Sequence, residues 1–179
     1  MSRVQSGRVT EAEFLSLPES MDKVELIDGE VVVSPSPSLA HQIIVQRLLH
    51  ALMSWVDGQE AAISVGHGPL DIRFGPDRIL QPDVFVILDR VPFRHRGPLD
   101  RVPELCIEVI SGNRTHDRVT KRFLYAAAGV REYWIIDPVG IVERWRGPGL
   151  DQGEEATGSL ATRLLPGFTL ELARVFAEE

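Results

Sequence analysis

The run Glu104-Leu105-Cys106-Ile107-Glu108-Val109-Ile110 holds one internal acid, Glu108, among apolar residues. A continuous apolar run of this length is typical of a strand that is covered on both faces of its sheet. The carboxylate of Glu108 is therefore expected in a dry environment, where an unpaired charge costs several kcal/mol. The sequence must supply a partner for that charge.

A second acid opens a second apolar run. Gln81-Pro82-Asp83 precedes Val84-Phe85-Val86-Ile87-Leu88, and a proline, which lacks a backbone donor, suits the start of a strand. Asp83 and Glu108 are thus expected at strand ends that point at one spot. Mg²⁺ uses one or two protein carboxylates and keeps its waters, so the two acids suit such an ion. The alternative is structural: Asp83 could accept backbone hydrogen bonds, and Glu108 could pair with an arginine.

A helix is predicted from Asp117 to Ala128 by its helix-forming residues and the spacing of its apolar ones. Asp117, Lys121 and Tyr125 are spaced four residues apart and share one face of this helix, near the end of the Glu108 strand. The alternative for Asp117 and Lys121 is an exposed ion pair that contributes a few tenths of a kcal/mol.

Three further residues are weaker candidates. Glu25 lies in a strand that turns at Asp28-Gly29, a strong hairpin signal, and alternation alone equally allows a solvated strand face. Asp71 alternates with apolar residues in a short strand and is more typical of an exposed face. His41 begins a long helix and is considered as a residue that could support a ligand.

The whole chain is predicted to be an α/β single domain. The Thr10-x-x-Glu13 pattern predicts a capped helix that ends before Pro18, and a long helix is expected from Ser38 to Val56. A glycine-rich acidic loop is expected over Gly147–Gly158. Strands are predicted over residues 62–65, 70–74, 84–88, 105–110, 132–137, 141–145 and 159–164, followed by a short terminal helix.

Taken together, these residues resemble the Uma-two family of endonucleases, in the PD-(D/E)xK restriction-endonuclease-like superfamily. One departure concerns the lysine, which the usual Glu-x-Lys pattern would place at Ile110; the resemblance implies that Lys121 supplies it from the next helix. The matching landmarks are Thr10-x-x-Glu13-Phe14, Glu25-Leu26-Ile27-Asp28-Gly29-Glu30, Ser38-x-x-His41, Pro69-Leu70-Asp71-Ile72-Arg73, Gln81-Pro82-Asp83, Glu108-Val109-Ile110-Ser111, Asp117-x-x-x-Lys121-x-x-x-Tyr125 and Gly129-Val130-x-Glu132-Tyr133-Trp134-Ile135-Ile136-Asp137-Pro138.

The resemblance implies a mixed β-sheet flanked by α-helices, with an N-terminal helix and hairpin over 8–34, a catalytic core over 38–146 and a C-terminal extension over 159–179. It also implies metal-dependent hydrolysis of phosphodiester bonds in DNA. Asp83, Glu108 and the carbonyl of Val109 would ligate Mg²⁺ or Mn²⁺, and Lys121 would orient the water or stabilise charge in the transition state. The resemblance and the exposed edge of such a sheet favour a homodimer.

Composition is consistent with a globular protein of 179 residues, of which 44% are hydrophobic. The first residues are polar, and no run of eighteen apolar residues occurs, so neither a signal peptide nor a membrane span is expected. The lone cysteine, Cys106, is expected in the core. These features favour a cytoplasmic location for the protein.

The net charge of −7 argues against strong binding to nucleic acid, which depends on Lys and Arg. Residues 90–122 nevertheless carry eight basic and four acidic side chains, so the positive charge gathers near the expected site. Weak non-specific affinity for DNA is therefore predicted, although a solvated basic loop is the alternative. The candidates for substrate contact are Arg94, Arg96, Arg114 and Arg118.

Two other functions stay open. The same fold could serve as a non-catalytic DNA-binding or protein-interaction module, in which the acids only stabilise the fold. The chain could also be a metal-dependent hydrolase with a substrate other than DNA, which the net acidity favours.

Overall fold

The architecture follows from the order of short strands and helices along the chain. The computed structural model describes residues 3–4, 7–18, 20, 22–92, 94–110 and 116–178, with backbone only at residues 3, 4, 116 and 117. The described elements are β1 (Arg3–Val4), α1 (Glu11–Leu15), β2 (Lys23–Ile27), β3 (Glu30–Ser34), α2 (Leu39–Val56), β4 (Ser64–His67), β5 (Ile72–Gly75), β6 (Arg78–Leu80), β7 (Val84–Ile87), β8 (Leu105–Val109), a π-helical segment (His116–Lys121), α3 (Arg122–Ala128), β9 (Glu132–Asp137), β10 (Ile141–Arg146), β11 (Gln152–Ala156), β12 (Ser159–Ala161), β13 (Thr169–Glu171) and α4 (Leu172–Val175).

An antiparallel sheet is formed by the N-terminal part of the chain. Its order among the described residues is β1-β3-β2-β6-β5. The β2–β3 hairpin turns at Asp28 and Gly29, whose φ angles of 51° and 85° are those of the tight turn that the sequence predicts. Because side chains alternate along a strand, Lys23 and Glu25 project from one face of β2 while Leu26 packs with Phe14 and Ile79 on the other.

A second sheet is mixed, with the order β11-β10-β9-β8-β7-β4 in the described chain. Strands β8 and β9 are parallel, and β7 and β8 are antiparallel. Val84 is the register partner of Ile107, so the start of β7 lies beside the end of β8. This register brings Asp83 and Glu108 to the same edge of the sheet, and the segment 81–83 links this edge directly to β6 of the first sheet.

Apolar residues from both faces of the mixed sheet form the core. One face packs against α2 and the C-terminal segment, including Leu48, Leu52 and Phe168. The other face packs against α3 and the first sheet, including Leu124 and Phe74. Within the part of the chain that the structure describes, none of the helices combines the length and the hydropathy that crossing a bilayer requires.

The starts of α1 and α2 agree with the sequence. Oγ1 of Thr10 accepts a hydrogen bond from the backbone N–H of Glu13, and the Glu13 carboxylate accepts one from the backbone N–H of Thr10. Ser38 caps α2. The predicted loop over Gly147–Gly158 was wrong, because Gln152–Ala156 form β11. Gly153 lies under the Trp145 ring, where a Cβ atom would come within 2.6 Å of the indole. The glycine that suggested a loop therefore provides space for a cross-strand tryptophan.

Candidate active site

A cleft of about 640 Å³ opens at the junction of the two sheets. Its walls come from the β2–β3 hairpin, the first half of α2 and the turn at Gly68 and Pro69. Charged side chains from four separate stretches of sequence lie at its base. They are Lys23, Asp83, Glu108 and Lys121, joined by His41 and the backbone of Val109.

Asp83 is held by donors from both sheets and from α2. Its Oδ2 accepts a hydrogen bond from the backbone N–H of Val109 at 2.9 Å and lies 3.0 Å from Nε2 of His41. Its Oδ1 lies 2.9 Å from Nζ of Lys23. Burial alone would raise the pKa of Asp83, but the charge of Lys23 and the bond with His41 lower it far below its usual range. The ionised carboxylate is acceptor-only, so Nε2 of His41 is the donor.

Glu108 is buried at the end of β8, with 1% of its surface exposed. Its Oε1 accepts hydrogen bonds from Nζ of Lys121 at 2.8 Å and from the hydroxyl of Tyr125 at 2.6 Å. Its Oε2 lies 3.3 Å from Nζ of Lys23. Burial and the Glu108 charge raise the pKa of Tyr125 well above its ordinary value. Tyr125 therefore stays protonated and donates to the carboxylate.

Glu25 is fully buried and faces the same group of charges from the first sheet. Its Oε1 lies 3.1 Å from Nζ of Lys121 and accepts a 2.8 Å hydrogen bond from the backbone N–H of Gln81. Its Oε2 has no hydrogen-bond partner among the described residues. Burial alone would raise the pKa of Glu25, but the nearby ammonium groups lower it.

Lys121 ends the π-helical segment that leads into α3, and its side chain is buried between Glu25 and Glu108. The sequence predicts one continuous helix from Asp117, but the first turn is wider than an α-helix. Such wide turns occur often at functional sites. In this chain the wide turn immediately precedes the helix that carries Tyr125.

The remaining sequence candidates lie elsewhere. Asp71 accepts a hydrogen bond from Nε2 of Gln81 at 2.8 Å. The backbone N–H of Gln81 donates to Glu25, so Gln81 connects Asp71 with Glu25. Arg118 forms ion pairs with Asp137 and Glu143. The side chain of Asp117 and all of Arg114 lie outside the described residues.

Arg94 and Arg96 are exposed on the loop that joins β7 to β8. This loop connects the strand ends opposite to those that carry Asp83 and Glu108, and neither arginine lines the cleft. Their placement therefore does not favour the substrate contact expected from the sequence, which stays a prediction.

Sequence reasoning missed Lys23 and Gln81. Lys23 stands two residues before Glu25, and residues with this spacing share a face of a strand. That alternation could have identified Lys23 once Glu25 was considered. Gln81 contributes its backbone N–H, which no side-chain pattern reveals.

The donor set fits a hard divalent cation. Among the described residues, no group of three or more His, Cys, Asp and Glu side chains is arranged to hold a metal ion. Mg²⁺, however, commonly takes only one or two carboxylates and completes its shell with water. Oδ1 of Asp83 and Oε2 of Glu108 already converge on one cation, the ammonium of Lys23, in a cleft that Val109 also lines.

The chain belongs to the Uma2 (Uma-two) family, described as "Putative restriction endonuclease", whose model matches residues 11–173. This confirms the resemblance drawn from the sequence. The chain is similar to the solved structure of "a putative nuclease belonging to DUF820 from Anabaena variabilis ATCC 29413", with 24% sequence identity and a TM-score of 0.78. The match covers 94% of this chain and 97% of that chain. This likeness confirms the predicted fold, a mixed sheet flanked by helices. No curated protein matches the chain.

Proposed function

We propose that the protein is an endonuclease that hydrolyses phosphodiester bonds in DNA with the help of Mg²⁺ or Mn²⁺. The observation that carries this proposal is the convergence of Asp83 and Glu108 on one cation at the base of an open cleft, beside a buried lysine. Membership in a family described as restriction endonucleases supports the same reaction. The proposal includes a catalytic core formed by residues 38–146, as expected from the sequence.

Asp83 and Glu108 would hold the ion through the oxygens that face the cleft, with the carbonyl of Val109 as a further ligand. A bound divalent ion polarises a phosphoryl oxygen and lowers the pKa of a bound water. The protein keeps both carboxylates oriented, because their other oxygens accept bonds from His41 and Val109 in one case and from Lys121 and Tyr125 in the other. Such supporting bonds typically contribute a factor of about 10 to 100 in metal affinity or activity.

Lys121 is the candidate catalytic cation. Its ammonium is buried and fixed by Glu25 and Glu108, so it needs no reorganisation to stabilise negative charge that develops on the phosphoryl group. Glu25 and Glu108 each form an ion pair with this ammonium, at 3.1 and 2.8 Å, and so fix its position. Lys121 would therefore support turnover more than ion binding.

The proposed substrate is DNA, bound weakly without sequence contacts. The described residues that line the cleft include few cations and several apolar side chains, among them Pro35, Pro37 and Leu39. Strong electrostatic attraction to the phosphate backbone is therefore not expected. A homodimer and a cytoplasmic location, where DNA is accessible, complete the proposal.

The test is metal binding and cleavage in two variants that keep side-chain shape but remove a ligand charge. Asp83→Asn and Glu108→Gln are expected to lose Mn²⁺ binding in calorimetry and nicking of supercoiled plasmid together. Asp89→Asn is the matched control, because Asp89 is exposed beyond the other end of β7. Lys121→Met is expected to lower cleavage more than it weakens ion binding.

Ion binding without cleavage of plasmid or single-stranded DNA would leave a hydrolase with another substrate. No ion binding by the wild-type protein would favour the non-catalytic DNA-binding or interaction module. Unchanged activity in the Asp83, Glu108 and Lys121 variants would refute the site.

A further inference from the structure

Lys23 reaches across the cleft from the first residue of β2 and contacts two carboxylates of the other sheet. Its Nζ lies 2.9 Å from Oδ1 of Asp83 and 3.3 Å from Oε2 of Glu108. The other oxygen of each carboxylate is bound within the protein. Oδ2 of Asp83 is bound by Val109 and His41. Oε1 of Glu108 is bound by Lys121 and Tyr125. One cation thus takes the position that the proposed ion requires.

The surroundings of Lys23 differ from those of Lys121. Lys121 is enclosed between two acids with 2% of its side chain exposed, whereas 23% of the Lys23 side chain is exposed at the cleft. A lysine side chain has a flexible four-carbon stem, so its ammonium can swing into the open cleft while the backbone of β2 stays paired. Lys23 is therefore placed to leave without unfolding the sheet.

Charge also favours an exchange. Among the described side chains of the site, the three carboxylates of Glu25, Asp83 and Glu108 exceed the two ammonium groups by one. A divalent ion in place of the Lys23 ammonium balances the charge of these described side chains. A monovalent cation in the same place leaves the excess of one negative charge unchanged.

Residue choice gives independent support. The chain has two lysines and seventeen arginines, and both lysines lie in this site. An ammonium is a compact point charge of roughly ionic shape, whereas the guanidinium of arginine is a planar fork that prefers to bind one carboxylate with two bonds. A compact cation that bridges single oxygens of two carboxylates resembles a metal ion more closely than an arginine does.

We infer that Lys23 is a resident cation of the metal-free protein, which occupies the ion position between Asp83 and Glu108 and is displaced into the cleft when a divalent ion binds. The inference rests on the proposed metal-dependent function. It makes the apparent affinity for the ion the result of a competition with an internal group. Removing that competitor raises the apparent affinity by a factor equal to the reciprocal of the fraction of sites that Lys23 leaves free.

The first experiment is calorimetric titration of Mn²⁺ into the wild-type protein, Lys23→Met and Arg131→Met. Arg131 is exposed and away from the cleft, so its substitution matches the loss of net charge alone. Lys23→Met is expected to bind about ten-fold more tightly or better, because the competing state is removed. Arg131→Met is expected to match the wild type.

The second experiment uses the wild-type protein and therefore does not depend on the folding of a variant. Acetylation by an amine-reactive ester, followed by mass spectrometry, reports on each of the two lysines separately. Addition of Mn²⁺ is expected to increase the labelling rate of Lys23 several-fold, while Lys121 stays protected as an internal control.

Tighter binding by Lys23→Met and faster labelling of Lys23 would support the inference. Equal affinities together with unchanged labelling would overturn it and leave the proposed function intact. Absence of Mn²⁺ binding in both the wild-type protein and Lys23→Met would overturn both.

Discussion

The hydroxyl of Tyr125 donates a 2.6 Å hydrogen bond to Oε1 of Glu108, and both side chains are buried. A hydrogen bond to a charged group typically contributes about 1.5–3 kcal/mol to stability. Because the same acid is a proposed ligand, this bond connects the packing of α3 with the orientation of the site.

Tyr125→Phe is expected to lower the free energy of unfolding by about 1.5–3 kcal/mol near neutral pH. The difference should shrink as the pH rises above about 10, the pKa of an unfolded tyrosine. The folded pKa is raised, so only the unfolded chain releases the proton in that range, and the wild-type advantage falls by about 1.4 kcal/mol per pH unit. Urea unfolding of both proteins from pH 7 to 11 measures this, and a pH-independent difference would contradict it.

Lys121→Met is expected to destabilise the protein by about 3–5 kcal/mol, because it leaves Glu25 and Glu108 buried without their shared ammonium. Adding Glu25→Gln removes one of these uncompensated charges. The double variant should therefore be more stable than Lys121→Met alone. Urea unfolding at pH 7 in a double-mutant cycle measures the coupling, and additive effects would contradict the contact.

His41→Gln is expected to weaken Mn²⁺ binding by about ten-fold or more, since the histidine fixes Oδ2 of Asp83 without itself being a ligand. His50→Gln is the control, because His50 is exposed on the same helix. Calorimetry distinguishes the two variants. Equal affinities would show that Val109 alone orients the carboxylate.

A homodimer is expected from light scattering, and a monomer at high micromolar concentration would contradict it. The structure limits how two copies could pair. Edge strand β11 carries Glu154 and Glu155, so joining two copies along this edge would bring like charges together. We expect a variant with charge reversed at Glu155 to leave the oligomeric state unchanged.

Much of the fold could be predicted from periodicity and turn residues. The Asp28-Gly29 hairpin, the Ser38 cap and the apolar strands around Asp83 and Glu108 all depend on local chemistry. The strands that were missed, such as Arg78–Leu80 and Gln152–Ala156, are short or glycine-containing and form because a neighbouring strand pairs with them. Pairing of that kind is a tertiary effect that local patterns do not contain.

The site was predictable only in part, for a related reason. Asp83, Glu108 and Lys121 could be proposed because a carboxylate or a lysine stands out within an apolar stretch. Lys23 was missed because a lysine at the start of a strand is ordinarily solvated. Its contacts with Asp83 and Glu108 depend on how two sheets meet, and this geometry is specified by residues far apart in the chain.

The ion pairs of the cleft also form the seam between the two sheets. Lys23 and Glu25 belong to the first sheet, whereas Glu108 and Lys121 belong to the second sheet and its helix. Any motion that parts the sheets therefore separates opposite charges and dismantles the ion position in the same step. Loss of the proposed metal-dependent activity on heating is therefore expected to precede the melting of either sheet, because the ion pairs that position the site also hold the two sheets together.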